Sequence, residues 1–245
     1  MKLLTLSLLL SSVAFASTAS ETHWEYSGKH GTAHWGEISP KFSTCSTGVN
    51  QSPIDIKSTI EAELPALTLD YNASKIELIN NGHTIQANIA GKNTFTNDDG
   101  KFDLKQFHFH SPSENTINGQ SFPLEVHFVH ADDNGRLAVI GLMFKEGKEN
   151  KVLAKFWDEM PAKAGKKAAI AGSLQSLDLL PANASKDYYR FNGSLTTPPC
   201  SEGVRWFVVK EPVEASKAQI DKFYKLMGGA TNRPVQPVNA RVVLR

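Results

Sequence analysis

The chain is predicted to be mainly β, built on one large, twisted, mostly antiparallel or mixed sheet with a few short surface helices. Three observations predict this. Short apolar runs, several with period-two alternation, recur between turn signals from Asn50 onward. Helical texture is confined to about Lys148–Glu159, Ile170–Leu174 and Ser216–Leu226. No composition break, Pro/Ser linker or internal repeat divides the 245 residues, which are enough for one substantial core.

Taken in order, the chain starts with a leader. Lys2 precedes an apolar stretch, Leu3 to Phe15, that runs into Ala14-Phe15-Ala16. A basic start, an apolar centre and a small-x-small site describe a signal peptide over 1–16, cut after Ala16 or alternatively at Ala19. The stretch is too short for a good membrane span, and no later window is apolar enough to serve. The mature protein, a single domain over 20–245, is expected to be soluble and exported, to the periplasm or beyond the cell. Trp24 to Ser46 shows little periodicity and reads as an extended segment packed over the body.

Candidate strands follow at Leu67–Tyr71, Lys75–Asn80, Thr84–Ile89, Lys101–His110, Leu124–Ala131, Leu137–Phe144 and Val204–Val209. Asn81-Gly82, Asn118-Gly119 and Asn192-Gly193 read as turns. Ser216 is placed to cap the last helix, and Gly228-Gly229 to stop it.

Composition excludes some functions. There are 26 Lys and Arg against 25 Asp and Glu, a net charge of +1, with no basic stripe interleaved with aromatics. Nucleic acid is therefore not an expected partner. The basic run Pro161–Lys167 reads as a solvated loop or helix end, and no glycine-rich phosphate loop follows a strand. Cys45 and Cys200 are the only cysteines. In an exported chain they predict one disulfide; the alternative is two separate buried thiols.

Three histidines carry the chemistry. His108 and His110 alternate with Phe107 and Phe109 in one strand-like run, and His127 sits in a second, Leu-Glu-Val-His-Phe-Val-His. Residues i and i+2 of a strand share a face, so His108 and His110 project together. If the strand of His127 lies beside them, three imidazoles converge. Three imidazoles and an open position describe a catalytic zinc site, whereas a structural site takes a fourth protein ligand. Hydrogen-bonded strand histidines are the alternative at this point. His130 lies at an odd spacing from His127 and takes no metal role. Gln106, Glu114 and Glu125 are candidates to support the ligands, and His83 follows a turn as an exposed titrating group.

These motifs, with Asn50-Gln51-Ser52-Pro53-Ile54-Asp55-Ile56, Asn80-Asn81-Gly82-His83, Ser113-Glu114, Gly193-Ser194-Leu195-Thr196-Thr197-Pro198-Pro199-Cys200 and Asn232-Arg233-Pro234-Val235-Gln236-Pro237, occur in one order from Trp24 to Arg241. In that order and spacing the chain resembles the alpha-class carbonic anhydrases, and its leader and cysteine pair resemble their exported bacterial members. The resemblance implies the alpha-carbonic-anhydrase fold, an α/β roll in some schemes. It implies one Zn2+ per chain, held by His108, His110 and His127. It also implies reversible hydration of CO2 to bicarbonate and a proton through zinc-bound hydroxide. The water pKa of about 7 that this needs is the established carbonic anhydrase value.

Further roles are implied residue by residue. Thr196 would accept a hydrogen bond from hydroxide and donate its own proton to Glu114, and Thr197 would bond solvent and bicarbonate. Gln106 would support His108, Glu125 would support His127, and the carbonyl of Asn232 would hold His110. Val129, Val139, Leu195, Val204 and Trp206 would form the apolar CO2 wall. Tyr26, Asn81 and Gln86 would line the wet side that carries protons to the shuttle, His83. Sulfonamides and small anions are the implied inhibitors, and the chain is expected as a monomer or homodimer.

Two residues depart from the usual pattern. Asn115 replaces a histidine common in animal members, which implies altered local bonding. Phe191 replaces a tyrosine and removes a hydroxyl from behind Thr196. A zinc esterase using the same nucleophile, as a side activity, and a non-catalytic binding module on the same fold are the competing readings. Intact His83, Glu114, Thr196 and zinc histidines favour the enzyme.

Overall fold

The computed structural model describes residues 22–245. The leader at 1–16 and its cleavage sites lie outside the described residues. The N-terminal segment is not extended. It folds into a 3-10 turn (Gly28–His30), α1 (Trp35–Ile38), a second turn (Pro40–Phe42) and α2 (Thr44–Thr47). These turns bond within themselves, as Gly48 N–H does to Thr44 O, so the segment satisfies its own backbone and leaves no sequence periodicity to read.

The strands are β1 (Asp55–Ile56), β2 (Thr68–Asp70), β3 (Ile76–Asn80), β4 (Ile85–Ile89), β5 (Thr94–Asn97), β6 (Gly100–His110), β7 (Thr116–Ile117), β8 (Leu124–Ala131), β9 (Leu137–Glu146), β10 (Lys167–Ala169), β11 (Tyr188–Ser194), β12 (Glu202–Val209) and β13 (Val213–Ala215). Among the described residues, eleven form one sheet in the order β10-β3-β4-β6-β8-β9-β12-β11, with β5, β2 and β13 attached at its flanks. Most pairs are antiparallel; β12 and β13 run parallel to β9. Strands β1 and β7 form a separate small parallel pair.

Two helices cover one face of this sheet. Helix α3 (Lys151–Trp157) is capped by Asn150 Oδ1, which accepts from the N–H groups of Val152 and Leu153. Helix α4 (Lys217–Leu226) has the predicted Ser216 cap, completed by Gln219 as a capping box. Between these helices and the sheet lies the main core. Phe107 meets Phe156 at 5.2 Å and Phe109 meets Trp157 at 4.7 Å, both edge-on. The opposite face carries a smaller apolar cluster that includes Ile54, Val139, Phe191, Val204 and Trp206.

A bulge decides which face the histidines take. Leu104 pairs with His130 but Gln106 with Val129, so Lys105 is an extra residue in β6. Before it, Phe102 and Leu104 are buried; after it, Phe107 and Phe109 are. The parity of the strand switches, and Gln106, His108 and His110 face away from the main core.

Three expectations need correction. Ile170–Leu174 is not helical: Gly172 has φ +77°, and Leu174 exchanges both backbone hydrogen bonds with Ser74. The helical texture moves on to a 3-10 turn at Ser176–Leu179. Lys167, read as the end of a solvated run, opens strand β10 on the sheet edge. Asn192-Gly193 is not a turn but lies inside β11, next to a register shift. A Cβ on Gly193 would stand 2.1 Å from Ser52 Oγ and 3.0 Å from the Trp206 ring, so glycine serves close approach there.

Candidate active site

The register brings the three histidines together. His108 in β6 lies directly opposite His127 in β8, and His110 lies opposite Glu125. Ring centroids are 5.4 Å apart for His108–His127, 5.0 Å for His108–His110 and 4.7 Å for His110–His127. One nitrogen from each ring lies within 4.8 Å of those of the other two.

The outward nitrogens are already engaged. His108 Nδ1 is 2.8 Å from Gln106 Oε1. His110 Nδ1 donates to a main-chain carbonyl at 2.6 Å, but that carbonyl belongs to Thr231 and not to Asn232. His127 Nε2 is 2.9 Å from Glu125 Oε1, off-line for a good hydrogen bond. Each ring therefore has an oxygen behind it, and hydrogen bonds set the tilt of His108 and His110, as is usual for metal-binding imidazoles. The nitrogens left facing inward are Nε2 of His108, Nε2 of His110 and Nδ1 of His127. His110 Nε2 is buried with no hydrogen-bond partner, a costly state unless something binds there.

The charges suit a cation. Burial lowers the pKa of His108 well below the ordinary value, helped by His110 and His127, and burial also lowers that of His110. Neutral imidazole is the ligand form. Burial pushes the Glu125 carboxyl up, but His127 and Asn115 outweigh it and hold it below the usual range. Glu125 Oε2 also accepts from the N–H groups of Glu114 and Asn115 at 2.7 and 3.0 Å. A Cβ on Gly141, which faces His127 from β9, would stand 3.2 Å from Glu125 Oε1. Three inward nitrogens beside the ionised Glu125 carboxylate match the donor chemistry of zinc.

Glu114 is fully enclosed, and its Oε2 lies 3.4 Å from His110 Nε2 and 3.8 Å from His127 Nδ1. Burial raises its pKa to about 7, against His127, the Thr196 hydroxyl and the Arg233 N–H, which lower it. The Arg233 N–H donates to Glu114 Oε1 at 2.8 Å. Thr196 is buried on the loop that follows β11. A reciprocal pair behind it binds Ser52 N to Ser194 Oγ and Ser194 N to Ser52 Oγ, at 2.8 and 3.1 Å. Thr197 is half-buried and its carbonyl accepts from Cys200 N–H.

The apolar wall assembles as one patch. Val139 pairs with Trp206 across β9 and β12, Val129 pairs with Val139 across β8 and β9, and Val204 and Leu195 pack with them. Trp206 meets His127 edge-on at 4.8 Å, and its Nε1 donates to Ser194 O. Phe191, where a tyrosine is common, lies parallel to Trp206 with centroids 6.0 Å apart. Asn115 takes up local bonding of its own, donating to Glu125 Oε1 and accepting from Ile54 N–H.

On the polar side the pieces are less uniform. Gln86 lies opposite His108 and donates to Asn88 Oδ1. The Tyr26 hydroxyl is buried, without a protein hydrogen-bond partner, and burial near Glu114 raises its pKa well above the ordinary value. Asn81 is exposed, and its Oδ1 accepts from the N–H groups of His83 and Thr84, so its carboxamide shapes the turn. His83 stands apart from the zinc-type ligands. It is half-buried and stacked on Trp24 at 3.7 Å, with burial, then His23, lowering its pKa against Glu25. It lines a cavity of about 610 Å3 that also meets Tyr26, Thr231 and Asn232. His130 lies on the opposite sheet face, where it pairs with the Tyr71 hydroxyl.

Comparison with known proteins adds to this geometry. The eukaryotic-type carbonic anhydrase family matches residues 30–245. A carbonic anhydrase of Pectobacterium carotovorum is 48% identical over 241 residues, covering 98% of each chain. Among solved structures, the alpha-carbonic anhydrase of Photobacterium profundum is 54% identical, with TM-score 0.86 over 91% of this chain and 100% of that one. The alpha-carbonic anhydrase of Thermovibrio ammonificans, solved with the inhibitor sulfanilamide, is 50% identical, with TM-score 0.89 over 92% of this chain and 100% of that one.

Proposed function

The chain belongs to the alpha-class, eukaryotic-type carbonic anhydrase family, and from that premise we propose that its zinc ion is held by His108, His110 and His127. The protein is an enzyme, a lyase, that reversibly hydrates CO2 to bicarbonate and a proton in a zinc-dependent reaction. One observation supports the ligand assignment above the others. Three inward ring nitrogens converge, each backed by a separate acceptor on Gln106, Thr231 or Glu125.

Zinc bound there would supply a Lewis acid that lowers the pKa of water to about 7, the known carbonic anhydrase figure. The chain's own residues do the rest. The wall of Val129, Val139, Leu195, Val204 and Trp206 takes CO2, which has no net charge and hydrogen-bonds weakly. Thr196 accepts a hydrogen bond from the water-derived nucleophile and donates its own to Glu114, which selects the lone pair aimed at carbon. Thr197 bonds the product side. Water carries the released proton past Tyr26 and Gln86 to His83, whose depressed pKa keeps it an unprotonated acceptor at neutral pH. His83 then hands the proton to buffer.

The finer reading extends to the whole product. Residues 1–16 act as an export signal, and residues 20–245 form one catalytic domain delivered to the periplasm. No helix among the described residues is long and apolar enough to cross a membrane. By extension from the sulfanilamide complex of the relative, sulfonamides and small anions bind at the three histidines.

The experiment is zinc analysis of His127→Ala together with CO2 hydration. Retained zinc should fall well below one per chain. Hydration should fall by more than the roughly 10–100-fold that loss of a supporting partner costs. Full zinc and normal turnover in the folded variant would overturn the ligand set.

A further inference from the structure

Arg233 has no part in the chemistry just described beyond its main-chain N–H, yet its guanidinium is among the most enclosed charges in the molecule. The residue is 2% exposed. Nη1 donates to Gln51 Oε1 and to Ser52 O, both at 2.8 Å, and Nη2 donates to Cys45 O at 2.8 Å. The guanidinium also lies 5.7 Å from the centre of the Trp35 ring. All four contacts come from the first third of the chain. The planar fork, fixed in geometry and always charged, is the group suited to bridging several fixed acceptors at once.

The segment that this side chain anchors carries two groups of the active site. Thr231 O accepts from His110 Nδ1, and Arg233 N–H donates to Glu114 Oε1. The segment belongs to no helix or strand. Apart from Arg233 it is tied by Thr231 to Ser111, through N–H to carbonyl and through Oγ1 to N–H. We infer that the Arg233 guanidinium is a positioning group for the reaction. It clamps the Thr231–Arg233 segment to the Cys45 and Ser52 carbonyls and the Gln51 side chain, and so sets the angle of the Glu114 carboxylate that receives the Thr196 hydrogen bond.

This rests on the reading of Glu114 and Thr196 given above. Its consequence is specific. Thr231 keeps its two bonds to Ser111 and with them its hold on His110, so loosening the clamp tilts the Glu114–Thr196 pair while leaving the ligand rings, the CO2 wall and His83 in place. The loss therefore falls on the CO2 step, reported by kcat/KM, more than on proton release, which limits kcat in dilute buffer. General loss of folded protein would lower both by the same factor.

The test is a double-mutant cycle of Arg233→Lys and Glu114→Gln, with zinc content and folded fraction measured on every sample. Lysine keeps the charge and loses the fork. Arg233→Lys alone should lower kcat/KM by roughly 10-fold or more, in the range of a lost supporting partner, with a smaller change in kcat. In the Glu114→Gln background the same substitution should cost little further, since the group it acts through is gone. If Arg233→Lys does not fold, Gln51→Leu replaces it in the cycle. That change leaves the guanidinium the Ser52 and Cys45 carbonyls, and it should show the same split at smaller size. Unchanged kcat/KM, an equal fall in both parameters, or additive losses with Glu114→Gln would each overturn the link. A Glu114→Gln enzyme with wild-type kcat/KM would instead overturn the reading of Glu114, and the link with it.

Discussion

The Glu114–Thr196 pair and His83 serve different steps of the reaction. Glu114 is enclosed and faces Thr196 and two ligand rings. His83 lies on the polar rim, stacked on Trp24. Substitutions at His83 and at Thr196, the hydroxyl bonded to Glu114, should therefore fail in different ways. His83→Ala is expected to keep its zinc and its kcat/KM while kcat falls roughly 10-fold or more, the low end of what positioned proton transfer contributes. Added imidazole should restore part of that rate. Thr196→Ala is expected to lose about 10²-fold in kcat/KM, comparable to one lost transition-state hydrogen bond, and imidazole should not restore it. Stopped-flow hydration at rising imidazole concentration separates them; a His83→Ala enzyme with full kcat in weak, bulky buffer contradicts the shuttle. At this scale the sequence was legible wherever a motif placed a side chain, as with Gln106 behind His108. It was less so where the main chain does the work. The carbonyl on His110 comes from Thr231, one residue before the position expected, because a carbonyl leaves no signature in the residue type. Arg233 stood in a motif read for its family resemblance, and nothing in its spacing announced that its guanidinium reaches Gln51, Ser52 and Cys45.

The elements that present the site were the easiest to read, because β6 alternates aromatic and polar residues and β8 and β9 are long apolar runs bounded by turn signals. Strand β8 has the predicted ends, and β6 and β9 differ from prediction by a residue or two. Strands β1, β5, β7, β10, β11 and β13 were missed; all but β11 are two to four residues long, too short to establish a period, and the Asn-Gly pair inside β11 imitates a turn. The bulge at Lys105 was not legible either, since an extra residue is defined only against its partner strand. One covalent link joins two of these elements. Cys45 in α2 is bonded to Cys200, just past the loop that carries Thr196, across a separation of 155 residues. If loop closure in the unfolded chain dominates, this bond contributes on the order of 4–5 kcal/mol. Denaturant unfolding with and without reductant, or of a Cys45→Ser/Cys200→Ser variant, should show a loss of that order. A loss under about 1 kcal/mol would mean that the reduced chain is no less constrained than the oxidised one.

Over the whole molecule, one sheet separates two chemistries. Its helix-covered face is aromatic and closed, with Phe107, Phe109 and Phe128 fully buried. Its other face carries three converging imidazoles, enclosed carboxylates and an apolar wall. The central claim is that His108, His110 and His127 on that second face hold the zinc on which hydration depends. The most direct measurement is stopped-flow CO2 hydration on one preparation of the full-length mature protein in three states: metal-replete, stripped by chelator, and restored with zinc. Zinc is counted in each, and folding is monitored throughout. Activity should follow zinc up to one ion per chain, vanish in the stripped protein while the sheet stays folded, and return on restoration. Hydration at the replete rate by folded, zinc-free protein would contradict the account.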